Sequence, residues 1–225
     1  SIIVKFKFFS IKKNLLLSVL SLSTFSMLSQ SDIVSVRTFE KGSTLVVNGD
    51  SFMINGMNWD MIPIGKDAVN TNFWNKPDEL IKAGLESEMS LLKQMNVNAI
   101  RHYSDIPSKW VQYIFENYGI YTMLNHSFGR YGLTINGVWE PITDYSDHNT
   151  QKVLLSEIET VVNKYKNTPG LLLYLLGNEN NYGLFWSGAE TEDFPEEESK
   201  KKAVGEKYGR PMYKLMNLAA KKIKE

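Results

Sequence analysis

Apolar positions along the chain follow two periods, and the alternation of the two is the first thing the sequence establishes. After Pro77, the residues Ile81, Leu85, Met89 and Leu92 recur at helical spacing and share one face. The same spacing aligns Leu154, Ile158, Val161 and Tyr165 in "TQKVLLSEIETVVNKYK". A third helix is predicted in "PSKWVQYIFENYG", opened by Pro107 and closed by Gly119, and a fourth in "PMYKLMNLAAKKIKE". Between them lie short runs fit for strands: "GMNWD", "VNAIRH", "IYTMLNH" and "LLLYLLG". Upstream, "TLVVNGDSFMING" has two apolar runs around Asn48 and Gly49, the preferred pair for a two-residue hairpin turn because both positions take positive φ. From the end of "IYTMLNH" to about Asn149 the pattern predicts a long polar loop. Strands buried on both faces and separated by helices mean parallel β/α packing, with residues 171–176 as a central strand.

That run, "LLLYLLGNE", ends on Asn178 and Glu179. A turn residue and a solvated carboxylate would be the ordinary explanation. Position argues for more, because parallel β/α folds gather their functional groups at the carboxyl ends of the strands. The other strands also end on polar or aromatic groups there: Asn58, Trp59 and Asp60, then Arg101 and His102, then Asn125 and His126. Each has an alternative structural reading. Arg101 can pair with a structural carboxylate, His102 and His126 can be satisfied core groups, and Trp59, Tyr103, Trp139, Tyr182 and Trp186 can be packing rather than a ligand platform.

Composition narrows the chemistry. Of 225 residues, 43% are apolar, enough for a globular core, and 25 basic side chains balance 25 acidic ones. Nothing in that balance favours nucleic acid or an anionic membrane, and a neutral partner is the simpler expectation. The chain has no cysteine, which excludes disulfides, thiolate catalysis and cysteine-bound zinc, and its three histidines match no metal spacing. No phosphate-binding glycine motif is present, so no cofactor is expected. Residues 1–30 read as a signal peptide: the lysines of "VKFKFFSIKKN" precede the fourteen residues of "LLLSVLSLSTFSML", too few to span a bilayer comfortably. The expectation is an exported protein without stable membrane insertion. The chain starts at Ser1 rather than at a methionine, which suggests an incomplete start.

The segments "FMINGMNWD", "LLKQMNVNAIRHYSDIP", "FENYGIYTMLNH" and "LLLYLLGNEN" together resemble the catalytic barrel of clan A retaining glycoside hydrolases, most closely glycoside hydrolase family 2, which holds β-galactosidases and β-glucuronidases. The resemblance implies that Glu179 is the general acid/base, that Asn178 holds the sugar 2-hydroxyl, and that Arg101 helps position the nucleophilic carboxylate. Asn58, Trp59, His102, Asn125, His126 and Trp186 become candidate contacts to an oligo- or polysaccharide. "RHYSDIP" is also similar to β-1,3-glucanosyltransferases of the same clan, an alternative with transglycosylation in place of hydrolysis, and a non-catalytic carbohydrate-binding half-barrel is a further one. "LNHSFG" departs from the acidic pattern common at the third strand of β-galactosidases. The implied organisation is a leading segment at 31–55 with the β-hairpin, followed at 56–225 by the N-terminal half of a (β/α)8 TIM barrel, about four β/α units. A closed barrel takes about 250 residues. The family's nucleophile, a Glu ending the seventh strand, is therefore expected beyond Glu225, and the chain alone is expected to be inactive.

Overall fold

The computed structural model describes residues 32–62, 72–103, 106–180 and 198–225, with side chains from 206 onward in the last segment. The signal-peptide reading of residues 1–30 falls outside the described residues, as does Trp186.

A three-stranded antiparallel sheet comes first: β1 (Val34–Phe39), β2 (Gly42–Val47) and β3 (Asp50–Phe52). The turn between β2 and β3 is the one "NG" predicts, with Asn48 at φ +52 and Gly49 at φ +94, and it sets Val47 opposite Asp50. Then follows a four-stranded parallel sheet of β4 (Gly56–Asn58), β5 (Ala99–His102), β6 (Tyr121–His126) and, after a short antiparallel pair, β9 (Leu171–Leu176), in that spatial order. Parallel pairing places Asn58 opposite Arg101 and Asn125 opposite Leu175, so every strand delivers its polar end to the same edge.

Helices α1 (Asp78–Gln94), α2 (Ser108–Tyr118) and α3 (His148–Tyr165) connect these strands. The face of α1 that is buried is the predicted one, Ile81, Leu85, Met89 and Leu92. These residues pack with Ile100, Trp110, Ile114, Ile120 and Leu124 in one core. Each such side chain contributes about 1.5–3 kcal/mol relative to an exposed one. Side chains one position along the strands point the other way: Ala99, Met123 and Leu172 pack against Val47, with Phe52 and Tyr121 ring to ring at 5.3 Å. The antiparallel sheet thus covers the start of the parallel strands, and their carboxyl ends are left for other use.

Three features differ from the pattern-based expectation. Within the predicted loop lies a hairpin, β7 (Leu133–Ile135) with β8 (Val138–Glu140), turning at Asn136 and Gly137 with φ +51 and +81. Helix α4 spans Glu198–Lys224 and carries Pro211 inside it, where the sequence suggested a start at that proline. Its register is set downstream, where Met212, Leu215 and Ala219 bury against Leu154 and Ile158 of α3, and this packing outweighs the one N–H that proline lacks. Finally, β9 is an edge strand among the described residues rather than a central one. Leu173 and Leu175 are accordingly only partly buried.

Candidate active site

The candidate site is built on the turn that leaves β9. Gly177 donates its N–H to the His126 carbonyl at 2.8 Å and takes φ +96, which swings the chain across the end of β6. Asn178 and Glu179 follow immediately. Strand pairing brings Arg101 beside them. Its Nη2 donates to Asn125 Oδ1 at 2.6 Å and to Asn178 Oδ1 at 3.0 Å, and its Nε donates to Asn125 Oδ1 at 3.2 Å. The guanidinium also lies 4.5 Å from the centre of the Tyr103 ring. One planar cation therefore fixes two carboxamides, with both oxygens turned toward it.

With its oxygen held by Arg101, Asn178 presents its amino group, and Nδ2 donates to Tyr131 Oη at 3.2 Å. Below it sits Asn180, only 7% exposed. Its Oδ1 accepts from the Asn178 backbone N–H at 2.7 Å, and its Nδ2 donates to the carbonyls of Ser127 at 3.1 Å and Phe128 at 3.0 Å and to Tyr145 Oη at 2.9 Å. Burial pushes the Tyr145 hydroxyl pKa up, against a smaller downward pull from Asn180. Tyr145 therefore stays protonated and donates to the Phe128 carbonyl at 2.8 Å.

Of the residues singled out in the sequence, Arg101, Asn125 and Asn178 are joined directly, Glu179 adjoins them with its side chain exposed, and Asn58 ends the neighbouring strand in register with Arg101. His102, Trp59 and His126 lie on the helix side instead. His102 is fully buried, with Nε2 3.0 Å from Asp60 Oδ1, and its ring lies 6.0 Å from that of Trp59 and 5.7 Å from that of Trp74. Asp60 also accepts from the Tyr103 N–H at 3.4 Å, so this carboxylate ties β4 to β5. His126 accepts the Phe128 N–H on Nδ1 at 3.1 Å, which leaves Nε2, 3.3 Å from Glu157 Oε2, to carry the proton. A cavity of about 430 Å3 lies beside His126 and Glu157, lined also by Tyr165 and Tyr174, but Asn178 and Glu179 do not line it.

Sequence reasoning missed Tyr131, Tyr145 and Asn180. Asn180 carried one signal, a second carboxamide directly after the strand-end carboxylate, where a local backbone partner is the usual employment of asparagine. Tyr131 and Tyr145 sit among loop residues whose pattern distinguishes them in no way.

A parallel β/α sheet that gathers carboxamides, an arginine and a carboxylate at its carboxyl edge has the arrangement in which barrel folds place their sites. Residues 39–190, more than half of the chain, match the family described as glycosyl hydrolases family 2, TIM barrel domain. The chain belongs to that family. It is 28% identical over 148 residues to a β-galactosidase of Lactococcus lactis, a match covering 64% of this chain and 13% of that protein. It is 32% identical over 90 residues to a probable 1,3-β-glucanosyltransferase of Saccharomyces cerevisiae, covering 39% of this chain and 16% of that protein. Among solved structures, a β-glucuronidase of Parabacteroides merdae aligns with a TM-score of 0.45 at 17% identity over 81% of this chain and 19% of that one. The chain thus spans about an eighth of the length of the β-galactosidase it matches.

Proposed function

We propose that the protein hydrolyses O-glycosidic bonds in a β-linked saccharide with retention of configuration, and that this chain supplies the acid/base half of the site. The observation that carries the reading is the placement of Glu179 directly after Asn178, on a turn pinned by Arg101 and Asn180 at the carboxyl edge of the sheet. In the first step the Glu179 carboxyl gives its proton to the leaving oxygen while a second carboxylate, about 5–5.5 Å away, attacks the anomeric carbon. In the second step Glu179, now a carboxylate, takes a proton from water as the water oxygen bonds to the anomeric carbon and the nucleophilic carboxylate leaves it, which frees the sugar. No nucleophile is assigned among the described residues: Asp60 lies against His102, Asp144 accepts the Ser146 N–H, and Asp147 caps α3 through the Thr150 N–H. Asn178 donates from Nδ2 to a sugar hydroxyl, in the place where Tyr131 Oη now sits.

Support for a second reading comes from the 32% identity to the yeast protein, which favours a sugar hydroxyl rather than water as the acceptor in the second step. One experiment separates the two. The intact protein and its Glu179→Gln variant are offered nitrophenyl β-glycosides with and without an oligosaccharide acceptor, and the products and their anomeric form are read by NMR. Hydrolysis with retention, lost by about 100-fold or more in the variant, is expected. Transfer products predominating over free sugar favour the second reading, and undiminished turnover by the variant rejects the role of Glu179. Export is proposed from the N-terminal pattern, and finding the intact N-terminal segment on cell-retained protein would reject it.

A further inference from the structure

We propose that Asn180 is a positioning residue for the acid/base carboxylate, its buried amide locking the left-handed turn that presents Glu179 at the sheet edge. The proposal rests on Glu179 acting as acid/base, as argued above. Glu179 takes φ +55, a conformation that residues other than glycine hold only where the surroundings over-determine it. Its own side chain is exposed and anchors nothing in the interior. The restraint comes from the next residue.

Asn180 uses both ends of its carboxamide. The oxygen takes the Asn178 N–H at 2.7 Å, which fixes the residue before Glu179, and the nitrogen is held by the Ser127 and Phe128 carbonyls and by Tyr145 Oη at 3.1, 3.0 and 2.9 Å. Phe128 is also left-handed, at φ +52, and fully buried. One amide therefore ties together two strained exits, that of β6 at Phe128 and that of β9 at Glu179. Substitutes do not reproduce this. Alanine leaves the Asn178 N–H without its acceptor and takes one donor from each carbonyl, Ser127 keeping the Arg130 N–H and Phe128 the Tyr145 hydroxyl, and aspartate keeps the acceptor but repels the carbonyls. Asn180 Oδ1 also fills the space beside Gly177, where a Cβ added to that glycine would stand 2.4 Å from it.

A mispositioned acid has a kinetic signature that general damage lacks. An alkoxide leaving group needs a proton as it departs and dinitrophenolate does not, so loss of acid catalysis slows alkyl glycosides selectively. The test measures kcat/KM of the intact protein, Asn180→Ala, Asn180→Asp and Glu179→Gln on an alkyl β-glycoside and on the 2,4-dinitrophenyl β-glycoside of the same sugar. Asn180→Ala is expected to lose about 10- to 100-fold on the alkyl substrate and less than about twofold on the dinitrophenyl one. Asn180→Asp is expected to show the same selectivity and carries the test if the alanine variant does not fold. Equal losses on both substrates, or none on either, overturn the proposal. If Glu179→Gln itself fails to discriminate the two leaving groups, the acid/base assignment falls and this proposal with it. Discrimination by Glu179→Gln without discrimination by the Asn180 variants sinks this proposal alone. Hydrogen exchange supplies a readout apart from activity: the Asn178 amide is expected to lose protection in Asn180→Ala and to keep it in Glu179→Gln.

Discussion

Gly177 stands where the chain must leave β9 and cross the end of β6, at φ +96 with the Asn180 carboxamide packed against its α-carbon. Any Cβ there meets both a disfavoured backbone and an atom at 2.4 Å. Gly177→Ala is therefore expected to lower stability by about 2 kcal/mol, read as the urea midpoint at unchanged slope. A midpoint equal to that of the parent would show that the turn relaxes freely and is not fixed by Asn180. At this scale the sequence was legible in kind but not in orientation. Arg101, Asn125, Asn178 and Glu179 are found together as expected, because strand ends in a parallel sheet share an edge. His102 and His126 are one residue further along their strands than Arg101 and Asn125, and the alternation of side chains sends them to the helix side. Reading the strand parity as well as the strand ends would have separated the two groups.

Helix α3 opens on Asp147, whose side chain accepts the Thr150 N–H at 2.8 Å and so satisfies one of the free donors of the first turn. That bond from the Thr150 backbone lowers the Asp147 pKa. A depressed carboxylate contributes stability that is present above its unfolded-state pKa and is lost as pH falls through its folded-state pKa. Asp147→Ala is accordingly expected to lower Tm at pH 7, with the difference from the parent shrinking as pH is taken down through the carboxylate range. A difference that is constant with pH would assign the effect to something other than the ionised cap. Helices were the most legible elements, since Pro107, Gly119 and the apolar spacing of α1 mark their limits. The hairpin of β7 and β8 went unread although Asn136 and Gly137 repeat the very pair that revealed the first hairpin, because its strands are three residues each and too short to show a period. Helix α4 went the other way: a proline that locally signals a start is carried inside by the packing of Met212, Leu215 and Ala219 on α3.

At the level of the whole molecule, the run "LLLYLL" suggested burial on both faces, and the described residues leave β9 at the edge of its sheet with Leu173 and Leu175 partly buried. An apolar run reports the environment a strand is built for and does not report which neighbour supplies it. The catalytic reading depends on the same assembly, since an acid at the end of β9 acts only against a nucleophile on the opposing side of the site. The central claim, that Glu179 is the acid/base of a retaining glycosidase, is tested most directly by azide rescue of Glu179→Ala in the intact protein with a dinitrophenyl β-glycoside. This leaving group departs without an acid, the sugar then waits on the enzyme for a base that is gone, and azide attacks without needing one. The account predicts that azide restores turnover and that the product is the β-configured glycosyl azide. Turnover by Glu179→Ala that equals the parent without azide, or an azide product of the α configuration, would contradict it.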